Sequence, residues 1–482
     1  MLNRKDLFAE LINIYEENII SFHTPGHKNG KIFDKLSLNE FKNQISYIDT
    51  TEIIGTDNLH NPNGIIKKAQ EEARKIFKSQ QTYFLVNGST SGIYSMIMGS
   101  TSPGDKVIVD RNCHQSIINA MILGDIIPQF VYPEIDIEQA IPLAISSEEV
   151  EKQLIKHPDA RAVVITYPNY YGICSDLKKI GEIVHKHNKI LLVDEAHGAH
   201  LGLSEGLPMT ALECGADIVV QSTHKTLPSF TQSSMLHLQG ERVDKDRVEF
   251  MLRLHQSSSP SYILMASLDL ALNIYKNHGK RLMEELLYNI QAFKNKVKSL
   301  QGFNIFDKDI IGRNYIKDID ITKIWITMTN NIKGHELEEI LREKYNIQME
   351  LSNLYGVLAL TTIGNDREDF DKLLRALEYI SNQSKEKEIM DMSHIHYPKT
   401  KSIITPRKAL YSKKESVKLE ASVGHISGEY IIPYPPGVPL LIPGEFIDEN
   451  MIRYVKELIN KGMEVIGLKD KKRQYIEIIA DK

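Results

Sequence analysis

A lysine that follows a buried apolar run is a candidate amine nucleophile, because loss of solvation lowers its pKa. Lys225 occupies such a place in IVVQSTHKTLPSFTQSSMLH, residues 218–237. The residues before Gln221 read as a strand, after which the chain breaks into hydroxyls, a histidine and the lysine. Ser222, Thr223 and His224 are placed to hold an anion. An amine for an aldehyde and short polar groups for a phosphate are what a pyridoxal phosphate (PLP) site needs. Taken alone, the segment is equally a strand end with an exposed lysine, so other polar clusters have to decide.

Three such clusters exist. After TYFLV (82–86) comes NGSTSGIYSMIMG, a turn of small residues running straight into a helix. Free backbone N–H groups there, with the hydroxyls of Ser89, Thr90 and Ser91, form a phosphate cradle. The turn does not match GxxxxGK[ST], so a nucleotide P-loop is not supported. After KVIVD (106–110), His114 stands where a parallel α/β sheet carries its active-site residues. After KILLVD (189–194) comes EAHGAHLG, with Asp194 closing the strand. PLP chemistry needs a buried carboxylate beside the ring nitrogen, and Asp194 is positioned for that role. Small Ala196 can pass beneath a ring, and His114 can stack on its other face. His224 or Lys225 can return a proton to Cα. The pairs His23/His27 and His197/His200 have metal-like spacing. Pro25 and Gly26 break the first pair and no third ligand accompanies the second, so no metal is expected.

All these clusters follow the carboxyl ends of apolar runs, and helical segments such as residues 177–186 lie between the runs. The alternation predicts an α/β fold with a mainly parallel, doubly wound sheet. Residues 1–64 read as an amphipathic helix and an arm with two polar loops, 21–30 and 54–64, that wraps onto a second subunit. The large domain is expected at 65–300 and a small α/β domain at 301–383. A polar linker follows at 384–405, then a C-terminal domain at 406–482. In that last part the prolines of residues 429–445 exclude a helix and predict a stiff surface ribbon.

The 482 residues carry a net charge of −5, so no basic surplus points to nucleic acid. No run approaches the roughly 18 apolar residues of a membrane span. Three widely separated cysteines suggest neither a disulfide framework nor a zinc knuckle. The expected location is the cytoplasm.

Together FHTPGHKNG, GTDNLHNPNG, NGSTSG, DRNCHQSI, VDEAHGAH, STHKTLPSFTQSSMLH and YPPGVPLLIPGE, in this order, resemble the ornithine/lysine/arginine decarboxylases of the aspartate-aminotransferase-like PLP fold (fold type I). The resemblance implies that Lys225 is the Schiff-base lysine, Asp194 the partner of the ring nitrogen and His114 the stacking histidine. It implies phosphate binding by Thr90, Ser91, Ser222 and His224; Ser89, Ala196 and His197 are further candidates to line the cofactor. It also implies a homodimer or larger assembly with sites at subunit boundaries. Because FHTPGHKNG begins at Phe22, the short biosynthetic type is expected, without the extra N-terminal domain of the large acid-induced members. The implied reaction is decarboxylation of a basic amino acid, arginine before lysine or ornithine. Asp57, Glu52 and Glu445 are the candidate readers of its cationic side chain. An aminotransferase or β-eliminating lyase on the same fold is the alternative, and a transaminase needs an arginine for the α-carboxylate, with Arg313 and Arg367 as candidates. A non-catalytic regulator of a decarboxylase would be expected to lack Lys225 or Asp194, and both are present.

Overall fold

Runs of Val, Ile and Leu build a seven-stranded sheet from β1 (Gln81–Leu85), β2 (Lys106–Asp110), β3 (Ile127–Val131), β4 (Ala160–Thr166), β5 (Ile190–Asp194), β6 (Ile218–Gln221) and β7 (Ser234–Leu238). The structure, a computed structural model, describes residues 7–136, 141–328, 332–383, 398–434, 437–460, 462–468 and 474–480. The strand order is β1-β7-β6-β5-β4-β2-β3. Strands β2 to β6 pair in parallel, whereas β7 is antiparallel to both β6 and β1. Every residue of β5 and β6 is buried, as expected for strands covered on both faces. This is an α/β fold with a mainly parallel sheet, as the sequence predicts. Strand β7 is the unforeseen element. It follows β6 after a short excursion that holds Lys225, and a short return cannot make a parallel crossover.

The helix Gly88–Ser100 lies close on this sheet. A Cβ at Gly92 would stand 2.5 Å from Leu85 Cδ1 and 3.0 Å from Val220 Cγ1, so only glycine allows the approach. Register then sets the site. Asp194 pairs with Thr166 on one side and Val220 on the other, and Asp110 ends the neighbouring β2. The polar ends of β2, β4, β5 and β6 therefore open on one edge of the sheet.

A second sheet joins Phe303–Ile305, Lys323–Met328, Gly356–Leu360 and Leu351–Ser352, all antiparallel. Fully buried Trp325 lies at its centre, and the helices Gly334–Tyr345 and Arg367–Gln383 flank it. The arm does not only reach outward: Ile20–Phe22 pairs in parallel with Ile347–Met349 of the same chain. The helix Leu7–Glu16, by contrast, has no buried residue. Among the described residues no helix is long and apolar enough to cross a membrane.

The C-terminal stretch corrects one expectation. Residues 384–397 of the expected linker, and Pro435 and Pro436, lie outside the described residues. The rest of 429–445 is no surface ribbon. Ile431, Leu441 and Ile442 are fully buried, because the apolar residues beside the prolines need cover even where a helix cannot form. The anchor is ionic. Arg111, just beyond β2, reaches Glu445 at 3.0 Å and donates to the carbonyls of Pro439 and Leu440 at 2.5 and 3.0 Å. The Glu445 carboxylate also accepts from Ile442 N at 2.9 Å and from the Thr400 hydroxyl. Both side chains are almost wholly buried, so removing one strands the other charge away from water. Glu445→Ala should therefore cost about 3–5 kcal/mol in urea unfolding. Replacing the pair together, by Arg111→Met with Glu445→Leu, should recover most of that loss. A single-variant loss of only about 1 kcal/mol, typical of an exposed pair, would contradict the anchor.

Candidate active site

Strand β6 ends at Gln221, and one short turn of helix, Thr223–Thr226, carries the lysine. Lys225 is partly buried, with Nζ 3.1 Å from His197 Nε2. Desolvation is the leading influence on the amine and lowers its pKa; Lys323 lowers it too, while Asp194 and then Glu350 pull it back up. An amine held this way is more readily available as the free base than an ordinary lysine.

Asp194 closes β5 with 2% exposure, and Oδ1 accepts from Ala196 N at 3.1 Å. Burial raises its pKa, and Lys225 and the Ala196 amide lower it. It is thus a carboxylate short of counter-charge, suited to a cationic ring nitrogen. Asp110, at the end of β2, is raised to about 7 by burial. His197 is buried three residues beyond the end of β5. Its pKa lies well below the usual value through burial, then Lys225. His114 caps the helix Gln115–Gly124, accepting at Nδ1 from Ser116 N at 3.2 Å. Burial, then Lys225, lowers its imidazole to about 4, so the ring is neutral. His224 lies 2.8 Å from Ser233 O through Nδ1 and is also lowered to about 4, chiefly by burial. In the neutral ring Nδ1–H donates to that carbonyl and Nε2 keeps its lone pair.

The segment expected to cradle a phosphate opens the helix Gly88–Ser100. Gly88 adopts φ +76, which a side chain resists, and turns the chain into the helix. Asn87, at the N-cap, makes no capping bond with its side chain. Ser222 Oγ donates to Ser89 Oγ at 2.8 Å, bringing the hydroxyls of both segments together. Thr90 is exposed, while Ser91 is buried and donates to Gly88 O at 2.8 Å. Helix-start amides, paired hydroxyls, a desolvated amine and a buried carboxylate form a donor set that fits PLP.

The three carboxylates expected to read a substrate are not brought there together. Asp57 holds the start of the helix Ile65–Phe77, accepting from the amides of Asn58, Asn63, Gly64 and Ile66 at 2.7–2.9 Å. Burial raises its pKa, and the amides of Asn63, Asn58, Gly64 and Lys67 more than offset it. Glu445 is taken up by Arg111. Glu52 lies in the arm with one oxygen buried and unpartnered among the described residues. The histidine pairs do not converge either: His197 meets Lys225, whereas His200 Nε2 lies 3.2 Å from Asp320. Arg313 and Arg367 are exposed, and Arg367 pairs with Asp371 at 3.6 Å along its own helix.

Sequence reasoning missed the wall that faces the lysine. Gly26 N donates to His224 O at 2.7 Å, and a Cβ there would stand 2.5 Å from Leu227 O, so the loop 21–30 lies against the lysine turn. Lys28 donates to His23 O and Leu360 O at 2.6 and 2.9 Å, and burial lowers its amine to about 7. The Tyr170 ring packs on His197 at 4.6 Å, and its hydroxyl donates to Glu350 at 2.7 Å. The dense Gly, Pro and His of FHTPGHKNG signalled the loop, but nothing local signalled Tyr170 or Glu350.

The Orn/Lys/Arg decarboxylase major domain matches residues 5–332, and the C-terminal domain of the same family matches residues 388–471. The chain is 37% identical over 467 residues to the arginine decarboxylase of Bacillus subtilis (strain 168), covering 96% of this chain and 95% of that protein. It is 36% identical over 479 residues to the arginine decarboxylase of Halalkalibacterium halodurans, covering 98% and 97%. In fold it is similar to lysine decarboxylase A from Pseudomonas aeruginosa, with a TM-score of 0.79 at 22% identity, covering 98% of this chain and 80% of that one. With the major-domain match spanning most of its length, the chain belongs to the Orn/Lys/Arg decarboxylase family.

Proposed function

We propose that the chain is a PLP-dependent carboxy-lyase that releases the α-carboxyl group of a basic L-amino acid as CO2. Arginine, giving agmatine, is favoured over lysine, giving cadaverine, and ornithine, giving putrescine. The observation that carries the reading is the desolvated Lys225 amine, acted on by buried Asp194, in a turn that Ser222 opens and bonds to Ser89. The arginine decarboxylases similar over nearly the whole chain support the preferred substrate.

PLP, when bound, supplies an electron sink for the pair left at Cα when the carboxyl group departs. Each residue's task follows from its surroundings. Lys225 would hold the cofactor through its amine, which its lowered pKa makes available as a nucleophile. Asp194 holds a proton at the ring nitrogen, since burial leaves its charge in need of a cationic partner. His114, neutral and held through Nδ1 by Ser116, offers a flat face for the ring. Ser89, Thr90, Ser91 and Ser222, with the helix-start amides, bind the phosphate. Ala196 gives room beneath the ring and His197 orients the lysine. Lys225 or His224 would return a proton to Cα; His224, with only a lone pair at Nε2 in its neutral ring, would first have to take one up there.

The functional layout we propose is an arm at 1–64, a PLP-binding domain at 65–300, a small domain at 301–383 and a C-terminal domain at 406–482. Self-association into a dimer or larger assembly belongs to the same reading. The helix Leu7–Glu16 exposes Leu7, Phe8, Leu11 and Tyr15, and the arm exposes Ile53 and Ile54, a surface that favours cover by another copy. A cytoplasmic location suits the three free, buried cysteines.

Purified protein with PLP should release CO2 from arginine, lysine or ornithine, and the amine formed names the substrate; a 2-oxo acid product instead would overturn the reading. Lys225→Ala should abolish both turnover and the absorption band of bound PLP, and full activity in that variant would remove the site. Asp194→Asn should retain some PLP yet slow turnover by several powers of ten. A wild-type rate there would place control of the ring nitrogen elsewhere.

A further inference from the structure

Two consecutive carboxyls, Asp194 and Glu195, stand at the end of β5 with 2% and 0% exposure. Neighbouring charges out of water each need a counter-charge. Asp194 has the Lys225 amine acting on it. Glu195 pairs with no cation among the described residues; it accepts from Ala211 N at Oε1 and from Gln221 Nε2 at Oε2, both at 2.7 Å. A Cβ at Gly198 would stand 2.6 Å from Glu195 Cγ, so the loop after β5 closes tightly over the side chain.

The titratable groups that face Glu195 supply no positive charge. Glu213 is exposed and acidic, while burial raises Tyr167, Cys214 and Tyr275, so these three stay neutral. Beyond Gln221, burial lowers His237 to about 3, and that ring is neutral as well. Burial raises Glu195 itself to about 8 against the bonds from Gln221 and Ala211, and Glu213 and Asp194 add to the rise. A carboxyl raised in this way keeps its proton below that pH and loses it above.

The surroundings can take that proton. A line of bonds runs from Glu195 through Gln221, His237 and Thr82 to Ser79, at 2.7, 3.0, 2.8 and 2.8 Å. Turning the Gln221 amide over and placing the imidazole proton on Nδ1 lets a protonated Glu195 donate along the line, with every member still bonded. The line also joins two strand ends. Glu195 N donates to Val220 O at 2.9 Å, and Gln221 ends β6 immediately before the turn of Ser222 and Lys225.

Resting on the decarboxylase reading, we infer that Glu195 is a positioning residue, a neutral acid that holds Asp194 and the lysine turn in register. Its retained proton leaves Asp194 as the one charge at the end of β5, free to pair with a cation.

Infrared spectra of the PLP-loaded protein, with and without isotope-labelled glutamate, read the carboxyl directly. A protonated-carboxyl band should shift with the label, be missing from Glu195→Gln and fade as the pH rises through about 8. Glu195→Gln has the shape and bonds of the neutral acid, so its kcat and its dissociation constant for PLP should lie within about twofold of wild type. Glu195→Leu has similar bulk without the bonds and should lower kcat and weaken PLP binding by about ten- to a hundredfold, the scale of a misplaced group. Lack of the band in the wild type, or a Glu195→Gln variant as impaired as Glu195→Leu, would overturn the neutral acid. An unimpaired Glu195→Leu variant would overturn the positioning role. Absence of CO2 from wild-type protein with arginine, lysine and ornithine would instead defeat the decarboxylase reading, leaving the infrared band and PLP binding to judge Glu195 by themselves.

Discussion

The structure turns on the cost of keeping one amine out of water. Lys225 sits at the carboxyl end of a wholly buried strand, where desolvation depresses its pKa and only Asp194 and Glu350 resist the shift. An isolated charge in such a place is expensive, so the surroundings must be rigid and polar in the right spots. The parallel sheet provides this by ending several strands together, with Asp110, Thr166, Asp194 and Gln221 along one edge.

Behind that edge, buried polar networks hold the site in register. Glu195, next to Asp194, accepts from Ala211 N and Gln221 Nε2, both at 2.7 Å; burial raises it to about 8. Gln221 continues to His237 at 3.0 Å, and His237 to Thr82 at 2.8 Å, so β6, β7 and β1 are linked through side chains as well as backbone. On the other side Asp320 joins His200 and Lys323, at 3.2 and 3.1 Å. Burial opposes the Asp320 charge, but Lys323 and His200 hold its carboxyl well below the usual range. This cluster fastens the loop after β5 to the second sheet, and Lys28 fastens the arm to the same sheet. The site is therefore assembled from three separate lengths of chain.

What could be read in advance was what lies within a few residues of a strand end. Lys225, Asp194, His114 and the Ser89–Ser91 hydroxyls belong to short segments whose apolar runs fix both the strand and the place where it breaks. Glu350 was out of reach because its place depends on pairing between Ile20–Phe22 and Ile347–Met349, which brings Thr24 to it across 326 residues of sequence. Asp57 and Glu445 show the opposite failure. Acidic residues in motif-rich loops look like ligand binders, yet one caps a helix start and the other anchors Arg111. The signals were present: Asp57 shortly precedes a helical run, and the apolar VPLLI before Glu445 asked for burial.

The central claim is that Lys225, among several buried lysines, is the one that takes the cofactor. Lys28 and Lys323 also lie in the interior near it, and Lys28 has an amine lowered to about 7, so the choice is a real one. Borohydride reduction of the protein loaded with PLP, followed by peptide mapping by mass spectrometry, decides it directly. The account predicts a stable pyridoxyl label on the peptide that contains Lys225. A label confined to Lys28, Lys323 or any other lysine would contradict it.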